Sequence, residues 1–64
     1  MNKDQAALVQ NRLEQAERTL RQAEILAEYE EWNGVVNRAY YAMFYSALAL
    51  LITKNSVLLN TLEF

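Results

Sequence analysis

Along the first half of the chain, apolar residues recur at Ala6, Val9, Leu13, Ala16, Leu20, Ala23 and Ala27, in alternating steps of three and four. This is the seam of a helix that buries one narrow face. Arg12, Glu14, Glu17, Arg18, Arg21 and Glu24 lie between the seam positions. Glu14 to Arg18 and Glu17 to Arg21 have the favourable i,i+4 order, each pair adding about 0.2–0.5 kcal/mol. Asn2 or Asp4 suits the N-cap, so a helix is expected from about residue 4 to residue 29. Asn33-Gly34 is a turn dipeptide, and Gly34 is expected to take a left-handed conformation there. Glu28, Glu30 and Glu31 oppose the macrodipole at that helix end and sharpen the stop.

From Val35 to Thr53 the pattern becomes apolar, broken only by Asn37, Arg38 and Ser46. The run is too long for a strand, and its Ala and Met favour a helix. A second helix is expected over about 35–53. Ala39, Ala42, Ser46, Ala49 and Thr53 form a ridge of small side chains on which the first helix can lie closely. Tyr40, Phe44, Ala47 and Leu51 make a second stripe, and Tyr41, Tyr45, Leu48 and Ile52 a third. One apolar face is therefore left without a partner within the hairpin. Lys54, Asn55 and Ser56 are expected to end this helix, with Val57, Leu58, Leu59, Leu62 and Phe64 beginning another apolar segment.

Composition sharpens the need for a partner. The chain has 64 residues, one glycine, no proline, no cysteine and no histidine. A core of this size rarely supplies more than roughly 3–5 kcal/mol without a staple. Disulfides and thiolate zinc sites are excluded, and no cofactor or metal is expected. A net charge of −2 gives no basic excess for non-specific nucleic-acid binding. A membrane span needs about 20 apolar residues, more than Ala39 to Ile52 provides, so no membrane association is expected. The N-terminus lacks the order of a secretory signal, and a cytoplasmic protein is the expectation.

Chemistry is sparse. There is no Gly-rich phosphate loop, no nucleophile with a base in reach and no carboxylate dyad beside an apolar pocket. Ser46 is read as a small residue whose hydroxyl bonds back to an earlier carbonyl. Trp32 suits either a cap over the end of the bundle or a partner surface. Arg38 opens an otherwise apolar helix and needs an explanation. One is an ion pair with Glu28, Glu30 or Glu31 across the turn. The other is a phosphate or nucleotide contact, with Arg38 as donor and Tyr41 and Tyr45 as stacking surfaces.

The stretch Trp32-Asn33-Gly34-Val35-Val36-Asn37-Arg38-Ala39-Tyr40-Tyr41-Ala42-Met43-Phe44, with Leu20 and Ala23 before it and Ala47-Leu48-Ala49-Leu50-Leu51 after it, carries a resemblance. It resembles the first two helices of the HEPN (higher eukaryotes and prokaryotes nucleotide-binding) superfamily, in particular a small prokaryotic branch with an asparagine-arginine-alanine-tyrosine-tyrosine-alanine signature. The resemblance covers most of residues 7 to 52. It implies an up-and-down bundle of about four or five helices, usually dimeric, often paired with a minimal nucleotidyltransferase partner protein and sometimes in contact with RNA or a nucleotide. Many relatives are metal-independent ribonucleases of toxin-antitoxin systems, whose catalytic Arg is followed after four to six residues by a His. No Arg of this chain starts such a motif, so no catalytic residue is carried over, and Arg38 belongs to the fold signature.

The resulting expectation is an all-α antiparallel two-helix hairpin, residues 1–64 forming the N-terminal portion of one HEPN-like domain. It would be completed by further C-terminal helices or by oligomerisation. Function is expected through helix association, with Tyr40, Phe44, Ala47 and Leu51 buried against another copy. A ribonuclease toxin whose Arg and His lie beyond Phe64, and a nucleotide-binding scaffold, are the alternatives.

Overall fold

The computed structural model describes residues 1–62, and their side chains as far as Ser56. Two helices, α1 (Lys3–Glu28) and α2 (Trp32–Leu62), pack along their length as a hairpin. Asn2 is the N-cap of α1 in a reciprocal capping box. Gln5 N donates to Asn2 Oδ1 at 2.7 Å, and Asn2 N donates to Gln5 Oε1 at 3.0 Å.

The turn departs from expectation. Gly34 lies inside the first turn of α2 with no positive φ, and the left-handed residue is Glu30, at φ 59°. Glu30 N donates to Ala27 O and Glu31 N donates to Leu26 O, both at 3.0 Å, the paired bonds of a Schellman cap. Gly34 serves close approach instead: a Cβ there would stand 2.9 Å from Leu26 Cδ1. Glu28, Glu30 and Glu31 also precede α2, where negative charge favours the positive end of the next macrodipole.

The second helix also differs from the expected 35–53, starting at Trp32 and running to Leu62. Lys54-Asn55-Ser56 does not end it. Lys is a good helix former, and Asn and Ser each cost only about 0.5 kcal/mol relative to Ala, so without Gly or Pro nothing there forces a stop. The apolar segment expected to begin at Val57 is thus the continuation of α2 as far as Leu62, and Phe64 lies outside the described residues.

The packed seam is made of small side chains. Among the described side chains, the buried apolar residues are Ala16 and Ala23 on α1 and Ala42 and Ala49 on α2, and Thr19 and Ser56 are buried as well. Thr19 Oγ1 donates to Gln15 O at 2.7 Å and Thr53 Oγ1 to Ala49 O at 2.9 Å, so the hydroxyls are satisfied within their own helices. On α1 the seam runs through Val9, Arg12, Ala16, Thr19, Ala23 and Leu26, while the expected seam residues Leu13 and Leu20 are 46% and 49% exposed. The alanines belong to both registers. Over Ala16 to Ala23 their closeness to α2 leaves no room for a leucine on the contact line, so Leu13 and Leu20 turn to one flank, while the larger Arg12 and Leu26 lie on the seam on either side of this stretch. On α2, Ala42 and Ala49 meet α1 as expected, but Ser46 stands exposed at the edge.

Such a seam is thin. Burying a methyl-sized group contributes on the order of 0.8 kcal/mol, against about 1–2 kcal/mol of backbone entropy per ordered residue. The radius of gyration is 15.1 Å, where a compact domain of this length has roughly 11 Å. The accessible surface is 5201 Å², where a folded monomer of this mass exposes about 4200 Å².

Two outcomes test the fold. Glu30→Gly relieves a left-handed non-glycine residue and is expected to raise stability by about 0.5–1 kcal/mol, read from thermal unfolding followed by circular dichroism. Ala42→Leu overpacks the seam and is expected to cost about 1–3 kcal/mol in the same assay.

Candidate functional site

The two flanks of the hairpin are unlike. On one, Gln15, Arg18, Thr19 and Gln22 of α1 and Arg38 and Tyr45 of α2 line a shallow cleft of about 170 Å³. None of these side chains is a carboxylate. Arg38 sits in the second turn of α2, half-buried, with its guanidinium carbon 5.4 Å from the centre of the Tyr41 ring. Its Nη1 donates to Gln22 Oε1 at 3.4 Å, and its Nε and Nη2 donate to Asn37 Oδ1. The hydrogen bonds of Arg38 therefore go to two neutral amides and not to the glutamates of the turn. Arg38 lies seven helical steps beyond Glu31, about 10 Å of rise, which sets the turn beyond easy reach.

The aromatic residues of the signature form a chain of ring contacts. Tyr41 and Tyr45 have centroids 6.3 Å apart, Phe44 and Tyr45 6.0 Å, and Tyr40 meets Tyr41 edge-on at 5.4 Å. Arg38, Tyr41 and Tyr45, singled out from the sequence, thus lie together on this flank. Arg18, Gln15 and Gln22 of α1 complete the cleft and had no signal of their own, because on a helix wheel they read as solvated surface. A guanidinium held over a ring, with a second Arg across the cleft, can hydrogen-bond an anion beside a stacking surface.

The opposite flank is a mainly apolar groove, bordered on α1 by a hollow of about 370 Å³ that Gln10, Glu14 and Glu17 line together with Leu13, Ala16, Leu20 and Ser46. Leu20, Ala39, Ala42, Met43 and Ser46 line one hollow of about 340 Å³, and Val9, Leu13, Ser46, Ala49, Leu50 and Thr53 the next, of about 280 Å³. Ser46 lies at their shared edge, with its Oγ donating to Ala42 O at 2.9 Å as the sequence suggested. Met43 and Leu50 are 66% and 69% exposed. The stripe of Tyr40, Phe44, Ala47 and Leu51 points away from α1 and is exposed throughout. Trp32, at the start of α2, is 60% exposed and does not cover the end of the hairpin. Among the described residues, no group of three or more His, Cys, Asp or Glu is placed to hold a metal ion.

By length and composition alone, Trp32–Ser56 is long and apolar enough to cross a membrane, with a mean hydropathy of 1.3. Core helices of soluble proteins, which are mostly buried, pass the same test, whereas only 11% of the apolar window is buried within this hairpin.

The model of the HEPN domain matches residues 9–61. Over 55 residues the chain is 49% identical to the protein named "Putative toxin MJ0605" of Methanocaldococcus jannaschii, an alignment covering 86% of this chain. The chain spans about two fifths of that relative's length, 41%. No solved structure matches.

Proposed function

The chain belongs to the HEPN domain family, and on that premise we propose that it is a toxin-related helical module acting through association of its two helices with helices of another copy. The observation that carries this reading is the surface. Among the described side chains, the four buried apolar ones are all alanine, while tyrosines, leucines, Met43 and Phe44 stand exposed. The excess over a folded monomer of this mass is on the order of 1000 Å². A soluble monomer rarely exposes a contiguous apolar patch larger than a few hundred Å².

The reading also keeps the chain in the cytoplasm and off membranes. Half-buried Arg38 is hydrogen-bonded to α1 across the hairpin, and α1 presents glutamates, glutamines and arginines along its outer side. Chemistry of the ribonuclease kind, with an Arg and a His four to six residues on, would have to come from other helices, since this chain has no His. A minimal nucleotidyltransferase is the partner protein that this reading carries.

One observation favours a second reading. The carboxylate-free cleft with Arg18, Arg38, Tyr41 and Tyr45 suits the phosphate and base of a nucleotide or a single RNA strand.

Light scattering after size exclusion is expected to give at least twice the 7.4 kDa of one chain, and a fully helical monomer would overturn the association reading. Mixed with lipid vesicles and centrifuged, the protein is expected to stay in the supernatant, and pelleting with the lipid would refute the reading off membranes. For the second reading, Arg38→Ala is expected to weaken binding of a short single-stranded RNA about tenfold, the worth of one charge-assisted contact, with helicity unchanged. Equal affinity in that variant would end it.

A further inference from the structure

We propose that the apolar groove, rather than the outward stripe of α2, is the face on which a second copy of the chain docks, with α1 of each copy laid over α2 of the other. This rests on the self-association reading and assigns its surface.

The groove is built by both helices. Leu13 and Leu20 stand seven residues apart on α1, Met43 and Leu50 seven apart on α2, with Ser46 between. The hollow on one side of Ser46 is walled by Leu20 and Met43, the hollow on the other by Leu13 and Leu50. The two helix walls thus repeat each other at equal spacing. A two-fold axis running along the groove therefore brings Leu13 over Leu50 of the second copy and Leu20 over its Met43. Each copy offers the same patch and receives the same patch, as an isologous interface requires.

Area points the same way, and the placement of charge decides between the possible arrangements. A standard interface takes about 800 Å² from each partner, comparable to the excess surface of this hairpin. The α2 wall carries no charged residue between Arg38 and Lys54, whereas Glu14 and Glu17 border the α1 wall. Laying α1 on α2 keeps these glutamates from facing their own copies, which an arrangement of α1 on α1 would not. Docking through Tyr40, Phe44, Ala47 and Leu51 involves α2 alone and leaves Leu13 and Leu20 exposed. The cleft with Arg18, Arg38 and Tyr41, on the opposite flank, stays open to solvent.

The chain has no cysteine, so an introduced thiol reports alone. In the assembled protein, Ser46→Cys is expected to react with a maleimide at least tenfold more slowly than Phe44→Cys, the two rates becoming equal in denaturant. Equal rates in the assembled protein, or protection of the Phe44→Cys thiol instead, would overturn the groove assignment. Light scattering on the same samples separates the two levels: a monomer removes the self-association reading and the assignment together, whereas an oligomer protected at position 44 removes the assignment alone. As a second measurement, Met43→Glu is expected to abolish the assembled mass or the helicity, and Phe44→Glu to change neither. A Met43→Glu variant that stays assembled and helical would also overturn the assignment.

Discussion

The contact of Ala16 and Ala23 with Ala42 and Ala49 sets the terms for everything else in this hairpin. Alanine on both sides of a helix interface lets the backbones approach closely, but it places little apolar mass between them. Large side chains do not fit on the contact line between the alanines, so Leu13, Leu20, Met43 and Leu50 turn to the flank or outward. The same closeness explains Gly34, whose missing side chain admits Leu26 where the helices diverge from the turn. It also explains why Thr19 and Thr53 are tolerated near the seam: each hydroxyl bonds to the carbonyl four residues earlier and leaves the interface unburdened by an unmet donor.

Because the seam is narrow, the flanks acquire separate characters. One gathers Arg18, Gln15, Gln22, Arg38 and the tyrosines, the other Leu13, Leu20, Met43 and Leu50. Most glutamates of α1 lie on neither the seam nor the polar cleft. Those of the turn act on both helices, unfavourably at the end of α1 and favourably at the start of α2, and this partly offsets the cost of a left-handed Glu30.

Much of the architecture was legible in the sequence, and the misses share a cause. Two long antiparallel helices, the small-residue ridge and an apolar stripe left uncovered all followed from periodicity. The α1 seam was read one position off in alternate turns, at Leu13, Leu20 and Ala27 instead of Arg12, Thr19 and Leu26. A heptad that includes Ala16 and Ala23 is consistent with either choice, and hydrophobicity favours the leucines. What decides is the partner's closeness, which one helix cannot reveal. The left-handed residue was missed because glutamate carries no signal for it, while Asn33-Gly34 carries a strong one. The end of α2 was misplaced because Lys, Asn and Ser weaken a helix without breaking it. Of the candidate site, Arg38, Tyr41 and Tyr45 could be found from their oddity in an apolar run, but their α1 neighbours became visible only once the hairpin closed.

Neighbouring positions of α2 meet different surroundings because the seam is narrow. Asn37, Arg38, Ala39, Tyr40, Tyr41 and Ala42 are consecutive, so at about 100° per residue they cover the whole circumference of α2. Ala42 lies in the seam, Arg38 beside it across from Gln22, Ala39 in the apolar groove, Tyr41 on the polar flank and Tyr40 directly away from α1. A binding site on one face of a helix would involve every third or fourth residue, whereas consecutive residues here meet the seam, the groove, the polar flank and solvent in turn. The hairpin covers α2 only at the seam and on the Arg38 flank, and it leaves Tyr40 58% exposed. The thin alanine seam therefore uses one side of α2 and leaves its large side chains to whatever packs on the others.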